Sequence, residues 1–238
     1  MLPWNTEDLL FDETRFNGTV RLFPLPDLVM FPNVMQPLHI YEPRYREMLN
    51  EALDSDGLIA MSVLAPGWEA DYEGRPPLLP HACLGKIITH ERTDNGEYNL
   101  LLLGVRRVLI DEELPPEQSF RKANVTLLDD CFETEADEHR AGLQIALTRR
   151  FQENLPDCQS ANPPILELLS AEIPLSVLTD LVSFALPLEY QLKCELLGET
   201  DIDRRAWMLL DALEEKRAVN PKRTPKSLAG YLPPFSVN

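Results

Sequence analysis

The chain has 238 residues, enough for one large domain or two small ones, and its 44% hydrophobic and 26% charged residues are an ordinary globular balance. A formal net charge of -17 repels a phosphate backbone at long range, so nucleic-acid binding is disfavoured unless a local basic face exists. The opening MLPWNTEDLLFDETRF has no basic n-region and no long apolar stretch, which argues against a signal peptide, and no run approaches the about 20 apolar residues of a membrane span. Cys83, Cys131, Cys158 and Cys194 are scattered without a CxxC pair, and read as reduced, buried thiols in a cytoplasmic protein.

Residues 1–17 read as an acidic arm, docked through Trp4, Leu9, Leu10 and Phe11. From Gly18 the period becomes two. Thr19 to Phe23 alternates as a half-buried strand, Val29 to Phe31 is short and apolar, Pro32-Asn33 turns the chain, and Val34 to Tyr41 is extended with Pro37 marking an edge or bulge. Pro43 opens a helix that carries Tyr45, Met48, Leu49, Ala52 and Leu53 on one face. Leu58 to Leu64 reads as a buried strand, and Ala65 to Pro80 as a mobile loop. Cys83 to Arg92 and Glu97 to Leu103 form a hairpin around Thr93-Asp94-Asn95-Gly96, where Asn-Gly supplies positive φ. Val105 to Ile110, after Gly104, and Arg121 to Leu128 are further strands. Seven or so short strands with one helix predict a small closed barrel over residues 18–130.

Asp129 to Glu138 is acidic and marks the boundary, after which the period becomes 3.6. Leu143, Leu147, Phe151 and Leu155 line one helix, and Ile165 to Ser170 forms a short one. Pro174 opens another, with Leu178, Leu181, Val182 and Ala185 inward. Leu188, Leu192 and Leu196 stripe the next, with Gly198 at C′. A capping box at Thr200 and Asp203 starts a helix bearing Ile202, Ala206, Leu209, Leu210 and Leu213. Residues 137–217 thus predict a helical bundle, followed by a flexible basic tail over residues 218–238, near Lys216, Arg217, Lys222, Arg223 and Lys226. The fold class is α+β.

Chemistry is sparse. The sequence has no GxxxxGK[ST], GxGxxG, HExxH or GxSxG motif. His81 and Cys83 share a strand face, but zinc needs three or four ligands and no second cluster is visible. No catalytic residue, metal or cofactor is expected, although an enzyme with residues dispersed along the chain stays as an alternative. The segment that stands out is Leu22 to Leu49, with Glu42, Arg44, Tyr45 and Arg46 grouped at a helix start. Arg44 is placed to pair with an acid, and Glu42 to satisfy N–H groups of the first turn.

Within it, LPDLVMFPNVMQPLHIYEPRY closely resembles the opening of the substrate-binding amino-terminal domain of Lon-type ATP-dependent proteases, with Tyr41 for the usual phenylalanine. Leu84 to Ile87, Asp94 to Leu100 and Leu103 to Arg107 resemble that family's glycine, DG-turn and GxxR blocks, and Phe120 to Ala123 its YRxA step. The resemblance spans about residues 18–215. It implies a PUA-like β-barrel followed by an α-helical bundle, and recognition of unfolded or partner polypeptides. The ATPase module and serine–lysine peptidase of full Lon proteases have no counterpart before Asn238, so the expectation is a stand-alone, non-catalytic binder, serving quality control or delivering clients to a separate protease. The residues expected to bind are Leu28, Phe31, Pro32, Met35, His39, Tyr41, Glu42, Arg44 and Tyr45, with the Ala65 to Pro80 loop beside them. The rival reading makes Phe31, His39, Tyr41, Glu42 and Arg44 fasteners between barrel and helix. PUA-like barrels also bind RNA, which here would need a basic patch of Arg106, Arg107, Arg121 and Lys122.

Overall fold

A computed structural model describes residues 11–72, 74–132, 137–154, 173–219 and 236–237. The chain divides into two compact units, Met1–Leu128 with Phe235–Asn238, and Asp129–Pro234. The last residue of the first predicted helical stripe, Leu155, the helix at Ile165 to Ser170, and the arm residues Trp4, Leu9 and Leu10 fall outside the described residues, as do residues 220–235 of the tail.

The first unit carries β1 (Thr19–Leu25), β2 (Met35–Ile40), α1 (Pro43–Leu53), β3 (Leu58–Leu64), β4 (Leu78–Arg92), β5 (Tyr98–Glu113), β6 (Arg121–Leu128) and β7 (Ser236–Val237). Five strands close a ring in the order β4-β3-β1-β6-β5, with β5 pairing back onto β4. β1 and β3 are parallel, joined through α1, and the other ring pairs are antiparallel. β2 lies outside the ring. It pairs along Tyr98–Leu103 of β5, while β6 pairs with Arg107–Glu113 further along. Val20, Leu22, Ala60, Leu84, Val108 and Ala123 fill the interior, and Phe11 and Phe16 pack against that core. Each fully buried leucine or valine contributes about 1.5–3 kcal/mol.

The expected break at Gly104 is absent: β5 runs through it. The glycine serves a crossing chain instead. Asn33 N–H donates to the Gly104 carbonyl and Gly104 N–H to the Val34 carbonyl, each at 2.9 Å, and a Cβ on Gly104 would overlap the Phe31 carbonyl. Asn33 turns there with φ 63°, a left-handed value that Asn tolerates well. Gly104 faces Gly85 across the bulged seam of β4 and β5, where a Cβ on Gly85 would press on Leu102. The hairpin turn also differs from expectation. Only Gly96 of the four turn residues has positive φ, and Gly96 N–H donates to the Thr93 carbonyl at 2.9 Å. The Ala65 to Pro80 stretch holds a 3-10 turn at Trp68–Asp71, is tied by Ala65 N–H to the Pro77 carbonyl, and gives β4 its first three residues.

In the second unit, α2 (Asp137–Asn154), α3 (Leu175–Ala185), α4 (Tyr190–Gly198) and α5 (Ile202–Val219) bury Leu143, Leu147, Phe151, Leu178, Val182, Leu196, Ala206 and Leu209. Two local expectations are corrected. Gly198 ends α4 without the left-handed φ of a C′ glycine. The cap of α5 is Asp201, whose Oδ1 accepts from Arg204 N–H at 3.0 Å, rather than Thr200. Arg205 is 0% exposed and forks onto Asp130 (2.5 and 2.9 Å) while donating to the Glu199 carbonyl at 3.0 Å. Cys83 is buried as expected, but Cys131 is exposed, because its backbone bridges to Asp201 and leaves the thiol outside the core.

Gly104→Val should cost about 1–3 kcal/mol or more, because the neighbour that must yield is backbone rather than a flexible side chain. Urea denaturation reads this directly, and a wild-type midpoint would reject the crossing as a constraint.

Candidate functional site

The nine residues singled out in the sequence separate into two groups. Phe31, Pro32 and Tyr45 are buried and Leu28 is half-buried. Phe31 and Pro32 form the crossing over Gly104. The Tyr45 ring lies 4.5 Å from that of Phe23, joining α1 to β1, and burial drives its phenol well above the ordinary range.

Glu42 and Arg44 belong with these fasteners. Glu42 precedes α1, but its carboxylate caps no N–H, contrary to expectation. It accepts from Arg44 Nε at 2.8 Å and from the Tyr72 hydroxyl at 3.1 Å, and Pro43 has no N–H to offer at the first position. The Arg44 guanidinium lies 4.7 Å from the Tyr45 ring centre and 5.1 Å from that of Tyr72. Burial and then the Glu42 carboxylate raise the Tyr72 phenol. Beneath this group is a cavity of about 270 Å³ lined by Arg44, Tyr45, Tyr72, Arg75, Phe120 and Arg121. Its arginines are engaged: Arg44 by Glu42, and Arg75 and Arg121 by Glu113, at 3.2 and 2.8 Å.

Met35, His39 and Tyr41 form the second group. β2 alternates so that Gln36, Leu38 and Ile40 are buried and Met35, Pro37, His39 and Tyr41 stand on the other face. Met35 is 58% and Tyr41 38% exposed. In register beside them on β5, Leu103 pairs with Met35 and Leu101 with Pro37, both half-buried. His39 is fixed between them, with Nδ1 2.8 Å from Asn99 Oδ1 and Nε2 3.1 Å from Glu97. Both ring nitrogens lie within hydrogen-bond distance of a neighbour, which holds the ring in place. The result is an exposed apolar row with one polar residue set into it, an arrangement suited to side-chain contact rather than bond making.

Sequence reasoning missed a second apolar surface. Ile145 on α2 is 71% exposed and Trp207 on α5 51%, and both line a groove of about 650 Å³ with Leu210 and Arg150. Their signal is phase: Ile145 and Trp207 fall outside the inward stripes Leu143–Leu147–Phe151 and Ala206–Leu210–Leu213.

The residues named for an RNA patch do not make one. Arg107 and Arg121 are buried, Arg106 pairs with Glu13, and Lys122 Nζ lies 2.6 Å from Glu51. Among the described residues no three His, Cys, Asp or Glu side chains gather as metal ligands, and no helix is long and apolar enough to cross a membrane.

Residues 19–215 match the family described as ATP-dependent protease La (LON) substrate-binding domain. Similar curated proteins are Lon proteases from Cytophaga hutchinsonii, 23% identical over 237 residues (93% of this chain, 28% of that protein), and Brevibacillus choshinensis, 24% over 201 residues (83% and 25%). The chain thus spans about a quarter of the length of those relatives. Among solved structures, the N-terminal domain of Mycobacterium avium complex Lon protease aligns with a TM-score of 0.64 at 19% identity, covering 83% of this chain and 98% of that one. A Lon N-terminal domain protein from Xanthomonas campestris aligns with a TM-score of 0.59 at 20% identity, covering 81% and 97%. A closed five-stranded barrel followed by helices is the fold of this class of module. The chain belongs to the LON substrate-binding domain family.

The ion pairs of the barrel unit carry an acid signature. Burial opposes ionisation of Glu51 and Glu113, but the Lys122 and Arg121 hydrogen bonds and nearby charges outweigh it and hold both carboxyls below the ordinary 4.5. Their stabilisation is complete above 4.5 and is lost as pH falls through the lowered values. The melting temperature should therefore drop below that pH, and Glu51→Gln with Glu113→Gln should lower the neutral-pH value and flatten the acid slope. An unchanged slope would reject this origin.

Proposed function

We propose that this chain binds polypeptide without acting on it covalently, using the exposed row Met35, Pro37, Tyr41, Leu101 and Leu103 as the contact surface of the barrel unit. What carries the reading is the exposure of Met35 and Tyr41 on a strand whose opposite face is fully buried. A large apolar side chain left in water favours sequence-tolerant association, because removing its area from water needs no particular partner geometry. Membership of the LON substrate-binding domain family supports the same reading. The curated relatives are whole proteases, and in this reading hydrolysis of a client falls to a separate protease. The pairing of Arg106, Arg121 and Lys122 with acids weighs against RNA as the partner. A second reading, favoured by the exposure of Ile145 and Trp207, seats the client in the groove of the helical unit.

Anisotropy of fluorescein-labelled, reduced and S-alkylated lysozyme, at low and high salt, tests this. Saturable binding should survive salt, and Met35→Lys with Tyr41→Lys should weaken it at least about tenfold, or about 1.4 kcal/mol. Loss on Ile145→Lys with Trp207→Lys instead would move the client to the helical groove. A labelled RNA that binds in a salt-sensitive manner, with no lysozyme binding, would reject the polypeptide reading.

A further inference from the structure

β2 has two edges of unequal fate. One pairs with β5 along its whole length, from Met35 to Ile40. The other meets only Ser236 and Val237 of β7, in parallel register with Leu38 and His39. Among the described residues, Met35 to Pro37 and Ile40 to Tyr41 have no strand on that side. Pro37 fits such a position, because a proline within a strand is tolerated at an edge. An open edge offers main-chain donors and acceptors to any extended chain, whatever its side chains.

β7 establishes what this edge accepts: an extended backbone running parallel to β2, with one small polar and one β-branched side chain at the pairing points. A longer strand in the same register would continue past both ends of that pair. Its alternate side chains would then lie beside Met35 and Tyr41, the two exposed apolar residues that flank the covered stretch. Charge narrows the choice further. Glu97 sits on His39, and the chain as a whole carries -17. The segment that occupies the edge follows Lys216, Arg217, Lys222, Arg223 and Lys226 in the sequence. An uncharged or basic strand is thus favoured over an acidic one.

We propose that the outer edge of β2 is a strand-addition site. An extended, uncharged or basic polypeptide segment pairs parallel to β2 over Met35–Tyr41, and Ser236–Val237 is the resident occupant that an incoming segment displaces. This rests on the polypeptide-binding reading and gives it a mode: main-chain pairing supplies sequence tolerance, and the row around His39 supplies the apolar contacts. Two residues of pairing form a short ladder, so the occupant is displaceable. As part of the same chain it nonetheless competes at an effective concentration on the order of millimolar. A weak segment in trans therefore meets an occupied edge, and only a longer or better-matched one displaces the resident.

The test uses the full chain and the full-length double variant Ser236→Pro with Val237→Pro, since proline cannot donate to the ladder. The first probe is a fluorescein-labelled octapeptide, YLPPFSVN, the sequence of residues 231–238. It should bind the variant at least about fivefold more tightly than the parent, because the tethered competitor is gone. Amide shift changes on binding should centre on residues 35–41. Equal affinity for both forms, or shifts centred elsewhere, overturns the proposal. The second probe is the labelled, S-alkylated lysozyme, which should also bind the variant more tightly, and unchanged affinity for it overturns displacement by clients. Octapeptide binding to the variant, with lysozyme binding to neither form, would keep the edge and reject the client reading, so the two claims fail separately.

Discussion

The passage of the Phe31–Pro32 backbone over Gly104 is the constraint on which the barrel unit depends. The ring closes where β4 meets β5, and at that seam two glycines, Gly85 and Gly104, face each other. Their missing side chains leave room for Leu102 on one side and for the crossing chain on the other. The crossing then delivers β2 onto β5 in a register that buries Leu38 and Ile40 and turns Met35 and Tyr41 outward. A one-residue slip would exchange those faces. Three segments far apart in sequence, around residues 31, 85 and 104, therefore act as one device, and the exposed row is its product.

Electrostatics are handled by a similar economy. Acids outnumber bases by 39 to 22, yet three buried arginines, Arg21, Arg121 and Arg205, serve as internal pins. Arg21 ties β1 to the end of α1 through Glu51, Asp56, Ser55 and the Leu58 carbonyl. Arg121 holds Glu113 and the Pro76 carbonyl. Arg205 fixes α5 to the segment before α2 through Asp130. A guanidinium suits this work because its planar fork meets a carboxylate on two sides and a backbone carbonyl on a third. The net charge of -17 that remains discourages anionic partners.

Much of this was legible in the residues. Alternation locates β1 and β6, a continuous apolar run locates β3, Pro43 locates the start of α1, and the 3.6-residue stripes at Leu143, Leu178 and Ile202 locate helices. In sequence Gly104 looks like a break, because a glycine in a strand looks the same whether it ends pairing or admits a neighbouring backbone. Only the register distinguishes these cases. The first-turn role expected of Glu42 fails for a related reason: besides the neighbouring Arg44 its carboxylate meets Tyr72, which a loop brings in along a path that no local pattern encodes. The nine motif residues were recognised together, but the sequence could not divide the fasteners from the exposed row. The fasteners lie in the crossing and at the start of α1, and the exposed row lies on the face of β2 turned away from the core. Ile145 and Trp207 went unnoticed because an apolar residue out of phase on a helix carries no signal until its surroundings are known.

The position of β2 outside the ring has a dynamic consequence. The five ring strands keep both neighbours if β2 lifts away, whereas β2 is held by β5, the crossing and a two-residue strand. Such an element can open below the cost of unfolding the barrel. When it does, Leu38 and Ile40 join Met35 and Tyr41 in contact with solvent, and the inner residues of the first half of β5 lose their cover. The module thus carries a reserve of apolar area that is hidden in its closed state and released by the detachment of one strand, so heat or mild denaturant would enlarge its sticky surface while leaving the ring whole.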